Sequence, residues 1–172
     1  MNTGVETARI FLALWPDTLS RAGLARCRDA WRWNDGAKVV PTGQLHLTLH
    51  FIGSFPSDRL PQLAQSLQVA FDPFDLALER HELWPRGIAV LRPGEVPAGL
   101  RSLHAALYDV LRAQGLPVEA REYRPHVTLA RRAEGSVPPV QAPGLRWRIA
   151  ACVLVESVPG AGYRVLRDYT AS

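Results

Sequence analysis

Two tetrads of one type, His46-Leu47-Thr48-Leu49 and His126-Val127-Thr128-Leu129, hold the residues of this chain best suited to chemistry. A strand alternates its side chains between two faces, so His46 and Thr48 would point one way while Leu45, Leu47, Leu49 and Phe51 point the other. The second tetrad repeats the frame. His126 and Thr128 share one face, Val127 and Leu129 the other, and Pro125 stands at the strand start, where a missing N–H does least harm. A single His-x-Thr is common by chance. Two copies in matching frames, in separate halves of the chain, point to two imidazoles and two hydroxyls facing each other across a cleft.

The chemistry that suits such a pair is phosphodiester cleavage by acid and base. Water is a poor nucleophile and an alkoxide a poor leaving group, so one neutral imidazole takes a proton from water while one imidazolium gives a proton to the departing oxygen. An ordinary His pKa of ~6.5 lets both forms exist near neutral pH. Each positioned proton transfer is worth roughly 10²–10⁴-fold. The Thr hydroxyls can bond non-bridging phosphate oxygens, and an arginine can offset the charge gathering on phosphorus.

The elements that must position these side chains are readable from periodicity and punctuation. Residues 9–15 form a β-rich apolar run ended by Pro16-Asp17, and Asp17 or Thr18 can cap a helix with Leu19, Leu24, Cys27, Ala30 and Trp31 on its apolar side. Asn34-Asp35-Gly36 breaks it, and 39–43 lead by a turn into the first motif strand, about 45–51, closed by Gly53. Ser57 and Asp58 start a helix with Leu60, Leu63, Ala64, Leu67 and Phe71 at helical spacing. Residues 75–83 and 87–91 pair as a hairpin across Trp84-Pro85-Arg86-Gly87. The clearest helix spans 98–114 with Leu100, Leu103, Leu107, Val110 and Leu111 on its face and Gly115 to end it. After the second motif, 134–144 is a Pro- and Gly-rich loop, and 145–156 pairs with 163–169 as an antiparallel hairpin. This is a mixed α+β pattern with a weak internal duplication about the two motifs, in one domain spanning 1–172.

Composition sets bounds on the rest. The 172 residues are 47% hydrophobic and 21% charged, an ordinary globular balance with room for a substantial core. No window nears the ~20 apolar residues of a membrane span, and residues 1–6 lack a basic run leading into an apolar one, so a cytoplasmic protein without a membrane partner is expected. Net charge is +4, and Lys38 is the only lysine. A surface rich in arginine suits a polyanionic substrate. Cys27 and Cys152 lie in apolar frames far apart, as buried free thiols do.

At this point the chain resembles a known group. Arg9-Ile10-Phe11-Leu12-Ala13-Leu14, Gln44 through Gly53, Tyr123 through Arg131, and the closing segment from Val153 to Leu166 are together similar to the two-histidine phosphoesterase superfamily, and within it to the bacterial and archaeal RNA 2′,3′-cyclic phosphodiesterases, historically called 2′-5′ RNA ligases. The resemblance implies a bilobal, pseudo-twofold α+β fold, with antiparallel sheets lining a central cleft and helices outside. It implies hydrolysis of a terminal 2′,3′-cyclic phosphate on RNA to a 2′-phosphate, without metal or other cofactor. It also implies His46 as the acid at ribose O3′, His126 as the base for water, and Thr48, Thr128 and Arg131 as phosphate contacts. The aromatic residue that many members carry before the first motif is Val39 here.

Other residues and readings remain beside these. His50 shares the expected face of His46 and Thr48 and could rim the cleft; His104 flanks an apolar stripe and reads as structural; His81 reads as a loop residue. Tyr123 and Trp84 could stack on a base, and Arg124 could bind a downstream phosphate or only fix its loop. A non-catalytic nucleotide- or RNA-binding module on the same fold would need donors but no matched acid and base. A phosphodiesterase for another cyclic or 2′-5′ linked nucleotide fits the same residues. A metal-dependent hydrolase using His46, His50 and His126 would require carboxylates in register, and none accompanies the motifs. Without an ATP-binding Gly-Lys motif, ligation is expected only as a reversible side reaction.

Overall fold

The computed structural model describes residues 4–172; residues 1–3, part of the stretch read above for a leader, lie outside the described residues. The chain runs β1 (Thr7–Leu14), α1 (Thr18–Asp29), β2 (Lys38–Val39), β3 (Leu47–Pro56), α2 (Leu60–Ser66), β4 (Phe74–Trp84), β5 (Ile88–Pro93), α3 (Ala98–Ala113), β6 (Val127–Arg131), β7 (Leu145–Ile149), β8 (Ala151–Val158) and β9 (Gly162–Thr170). The strands form one antiparallel sheet in the order β7-β4-β5-β6-β3-β1-β8-β9, with β2 paired to β6. The two motif strands, β6 and β3, are therefore neighbours at its middle, each followed outward by three more strands.

The sheet curls. β7 pairs with β4 on one flank, while β8 pairs with β1 and β9 on the other, yet Ala150 alone joins β7 to β8. Two trans peptides span only about 7 Å, so the flanks must approach each other at this point. The expectation of one strand over 145–156 is thereby corrected. The apolar run is continuous, but its two parts bond to partners at opposite flanks.

The concentration of leucines explains the core. Leu100, Leu103, Leu107 and Leu111 of α3, Leu63 of α2 and Leu24 of α1 are buried against Ile10, Leu12, Leu14, Leu47, Leu76 and Leu91 of the sheet in one cluster. β1 is apolar on both faces because Phe11 and Ala13 pack with Val153 and Val155 in a separate small cluster, with Trp15 against it. Asp17 caps α1 by accepting from the Ser20 amide at 2.7 Å. Leu19, expected on the apolar side of that helix, is 84% exposed. The contact face is instead Ser20, Gly23 and Leu24, because a Cβ on Gly23 would lie 2.5 Å from a Leu145 methyl. His81 sits on β4, not in a loop, and its Nδ1 accepts from Trp31 Nε1–H at 2.9 Å.

Two bulges in β3 matter most for the site. Against β1 the register slips between Thr48 and His50 and again between Phe51 and Gly53. Gly53, expected to end the strand, continues it at φ +89°, a conformation glycine adopts without a Cβ clash. Each extra residue inverts the two-residue alternation. Leu49 and His50 both turn inward, and Phe51, expected in the core, is 47% exposed.

Candidate active site

β3 and β6 meet at a single ladder pair, Leu47 with Val127, running antiparallel. Continuing that register sets His46 opposite Thr128 and Thr48 opposite His126. The two imidazoles border one cavity, close enough for the charge of His126 to act on His46. His46, Thr48, His126, Thr128 and Arg131 line one cavity of about 410 Å³.

Both rings are held in the same way. His46 Nδ1–H donates to the Gln44 carbonyl at 2.7 Å, and His126 Nδ1–H donates to the Arg124 carbonyl at 2.8 Å. A carbonyl can only accept, so Nδ1 carries the proton in each ring and Nε2 is the atom left for proton exchange. At His46 that nitrogen is hydrogen-bonded to the Thr48 hydroxyl at 3.1 Å, which can donate to the neutral ring or accept from the imidazolium. Gln44 reaches this position from a short 3-10 turn, Thr42–Gln44, which ends just before the motif.

The surroundings of the two rings differ. His46 stacks on Trp15 at 5.7 Å and has Phe11 at 5.1 Å and Tyr163, edge-on, at 5.3 Å. His126 has Trp84 at 4.6 Å, and the charges of Arg131, Arg92 and Arg124 act on it. Burial, chiefly, pushes both imidazoles below the usual histidine range, opposed by their carbonyl bonds. The charges of His126, Arg21 and Arg131 add to the depression at His46, and the three arginines add to it at His126.

His50 is not on this face. It is buried, its Nε2–H donates to the His104 carbonyl at 2.8 Å, and its ring stacks on His104 at 4.0 Å. His104 in turn stacks on Tyr123 at 3.8 Å. Burial and the neighbouring His50 push the His104 imidazole down to about 4, with Glu119 acting in the opposite direction. The Tyr123 hydroxyl donates to the Thr48 carbonyl at 2.9 Å. Burial pushes that phenol far above its usual range, so it stays a donor. His50, Tyr123 and Arg124 line a second cavity of about 390 Å³, which shares Thr48, Phe51 and His126 with the first.

Several lining residues escape a reading of the motifs alone: Arg9, Phe11, Phe51, Ser157 and Tyr163. Phe51 is concealed by the bulges, and Tyr163 is brought in only by pairing of β9 with β8. Val39 lies on β2 opposite Ala130, and its neighbour Val40 lines the first cavity. Among the described residues no three His, Cys, Asp or Glu side chains converge in a way that could hold a metal ion, and no helix is long and apolar enough to cross a membrane.

A curled antiparallel sheet that lays two His-x-Thr strands side by side in one cleft defines an α+β protein of the two-histidine phosphoesterase class. Known proteins agree: residues 15–158 match the 2′-5′ RNA ligase superfamily, and the chain belongs to that family. It is 32% identical to an RNA 2′,3′-cyclic phosphodiesterase of Thermus thermophilus, over 94% of this chain and 89% of that one. It is 28% identical to the Escherichia coli protein of the same name, over 84% and 83%. A crystal structure of a Thermus thermophilus protein superposes with a TM-score of 0.78 at 30% identity, covering 94% of this chain and 97% of that one. Apo LigT of E. coli superposes at 0.86 with 23% identity, covering 97% and 99%, and speaks for the fold alone.

Proposed function

We propose that this chain is an RNA 2′,3′-cyclic phosphodiesterase, opening the cyclic phosphate at an RNA end to a 2′-phosphate. The observation that carries this reading is the Leu47–Val127 register, which directs both His-x-Thr pairs into one cavity with each Nδ1 tied off. The relatives named for this activity support it. In the reaction a water oxygen bonds to phosphorus as its proton passes to His126 Nε2, while the P–O3′ bond breaks and O3′ takes the proton of His46 Nε2–H. Thr48, Thr128 and Arg131 hold the non-bridging oxygens. This polarity is the one the family likeness implies, since burial and nearby arginines depress both rings alike. The two lobes of the single domain, each built on one motif strand, supply one half of the acid–base pair apiece. The free thiols Cys27 and Cys152 accord with a cytoplasmic setting.

The test incubates the protein with RNA ending in a 2′,3′-cyclic phosphate in the presence of excess chelator. A 2′-phosphate product at undiminished rate is expected. A 3′-phosphate product, or activity lost to chelator and restored by zinc or manganese, would refute the reading.

Tyr123 gives a subtler expectation. Its hydroxyl is a second tie across the narrow β3–β6 seam, bonding Thr48 from three residues before His126. Tyr123→Phe keeps the stack on His104 and removes only the bond. Turnover should fall about two- to tenfold, the equivalent of one net hydrogen bond of ~0.5–1.5 kcal/mol. KM should stay near the parent value, and the unfolding temperature should fall by about 1–6 °C.

A further inference from the structure

The second cavity is nearly as large as the first and shares Thr48, Phe51 and His126 with it, yet the hydrolysis just described leaves it without a role. Its character is that of a stacking site. Trp84 is fixed in plane by donating Nε1–H to Glu82 at 2.8 Å, and the Arg124 guanidinium lies 4.6 Å from its ring centre. Arg124 is exposed above the half-buried indole, and bases stack on aromatic rings and guanidinium planes regardless of identity. The terminal nucleoside of the substrate is tied to phosphorus through both O2′ and O3′. The first cavity, which of the two alone contains both His46 and His126, offers it the exposed rings of Phe51 and Tyr163. The next nucleoside along the chain is one phosphodiester away, and His126, which lines both cavities, adjoins the second cavity that Arg124 also lines.

Building on the hydrolase reading, we propose that the second cavity binds the nucleoside on the 5′ side of the cyclic-phosphate-bearing residue, with its base on the Trp84–Arg124 platform and the linking phosphate within reach of the Arg124 N–H groups. The preferred substrate is then an RNA end of at least two nucleotides, not a cyclic mononucleotide.

The test compares kcat/KM for a 2′,3′-cyclic mononucleotide, a dinucleotide with the same end, and dinucleotides made abasic at either position, in the wild type, Arg124→Gln and Trp84→Leu. Each variant is scored by its dinucleotide-to-mononucleotide ratio, which cancels any general loss at His126. The wild type should favour the dinucleotide by about tenfold or more, the scale of one stacked base. An abasic upstream residue should erase that preference, as should either substitution. Equal kcat/KM for the two lengths in the wild type, a preference that survives Arg124→Gln, or a preference that follows the terminal base would overturn the proposal. Should neither substrate be opened, the hydrolase reading fails separately. The cavity is then judged by tryptophan fluorescence on titration with 3′-phosphorylated mono- and dinucleotides. Tighter dinucleotide binding that Arg124→Gln removes supports the site, and equal binding overturns it.

Discussion

Replacing His126 by alanine is expected to lower turnover of a cyclic-phosphate-ended RNA roughly 10²–10⁴-fold, and replacing His46 to lower it by a similar factor, with neither change unfolding the protein. The fold should survive because the two rings border the cavity and the leucine core beneath β3 and β6 does not depend on them. The two losses differ in kind, and a change of leaving group separates them. An O3′ alkoxide must be protonated as it departs, whereas a p-nitrophenolate leaves unaided. A p-nitrophenyl phosphodiester should therefore recover most of the activity missing in His46→Ala and little of that missing in His126→Ala, whose defect lies in activating water. Recovery in the opposite variant would exchange the two roles. Near-normal turnover of the RNA by either variant, with folding verified by circular dichroism, would end the acid–base pairing itself.

How far the sequence anticipates this site is decided residue by residue. The period of two in His46-Leu47-Thr48 and His126-Val127-Thr128 is local and strong, so the cleft-facing quartet is legible in the sequence alone. The helix over 98–114 is equally legible, since four leucines at helical spacing and Gly115 agree on its face and its end. The hairpin at Trp84-Pro85-Arg86-Gly87 is legible because Pro85 and Gly87 punctuate two apolar runs, although the positive φ of Arg86 is not. The failures share a cause, namely partners distant in the chain. His50 and Phe51 exchange faces because β3 carries two bulges against β1, and a bulge leaves no mark in periodicity beyond Gly53. The run over 145–156 reads as one strand because nothing in it announces that Ile149 bonds to Phe74 while Val153 bonds to Ala13. The aromatic surround of His46 is invisible for the same reason, being assembled from β1, the segment after it and β9.

The acidity of the pair leads to the second large effect. Reaction requires one proton shared over two rings, so kcat/KM should follow a bell between the two macroscopic pKa values of the free site. Burial and the neighbouring arginines lower both imidazoles, so both limbs should lie below the ordinary ~6.5 of histidine. Above the bell the acid is lost and kcat/KM should fall about tenfold per pH unit, close to a hundredfold between pH 7 and 9. A bound phosphodiester adds a negative charge that favours imidazolium, so the limbs of the kcat profile should lie at higher pH than those of kcat/KM. Arg131 is the strongest of the charges acting on His126 and the last of those acting on His46, so Arg131→Gln should carry the acid limb upward, and the alkaline limb by less, even as it lowers the maximum. Folding imposes its own limit on the acid side. Histidines with depressed pKa bind fewer protons folded than unfolded, so stability is fully present above ~6.5 and declines as the pH falls towards the folded values, which for His104 is about 4. Profiles should therefore be taken where circular dichroism shows the native state, and a kcat/KM that is flat or rising from pH 7 to 9 would contradict the shared-proton pair.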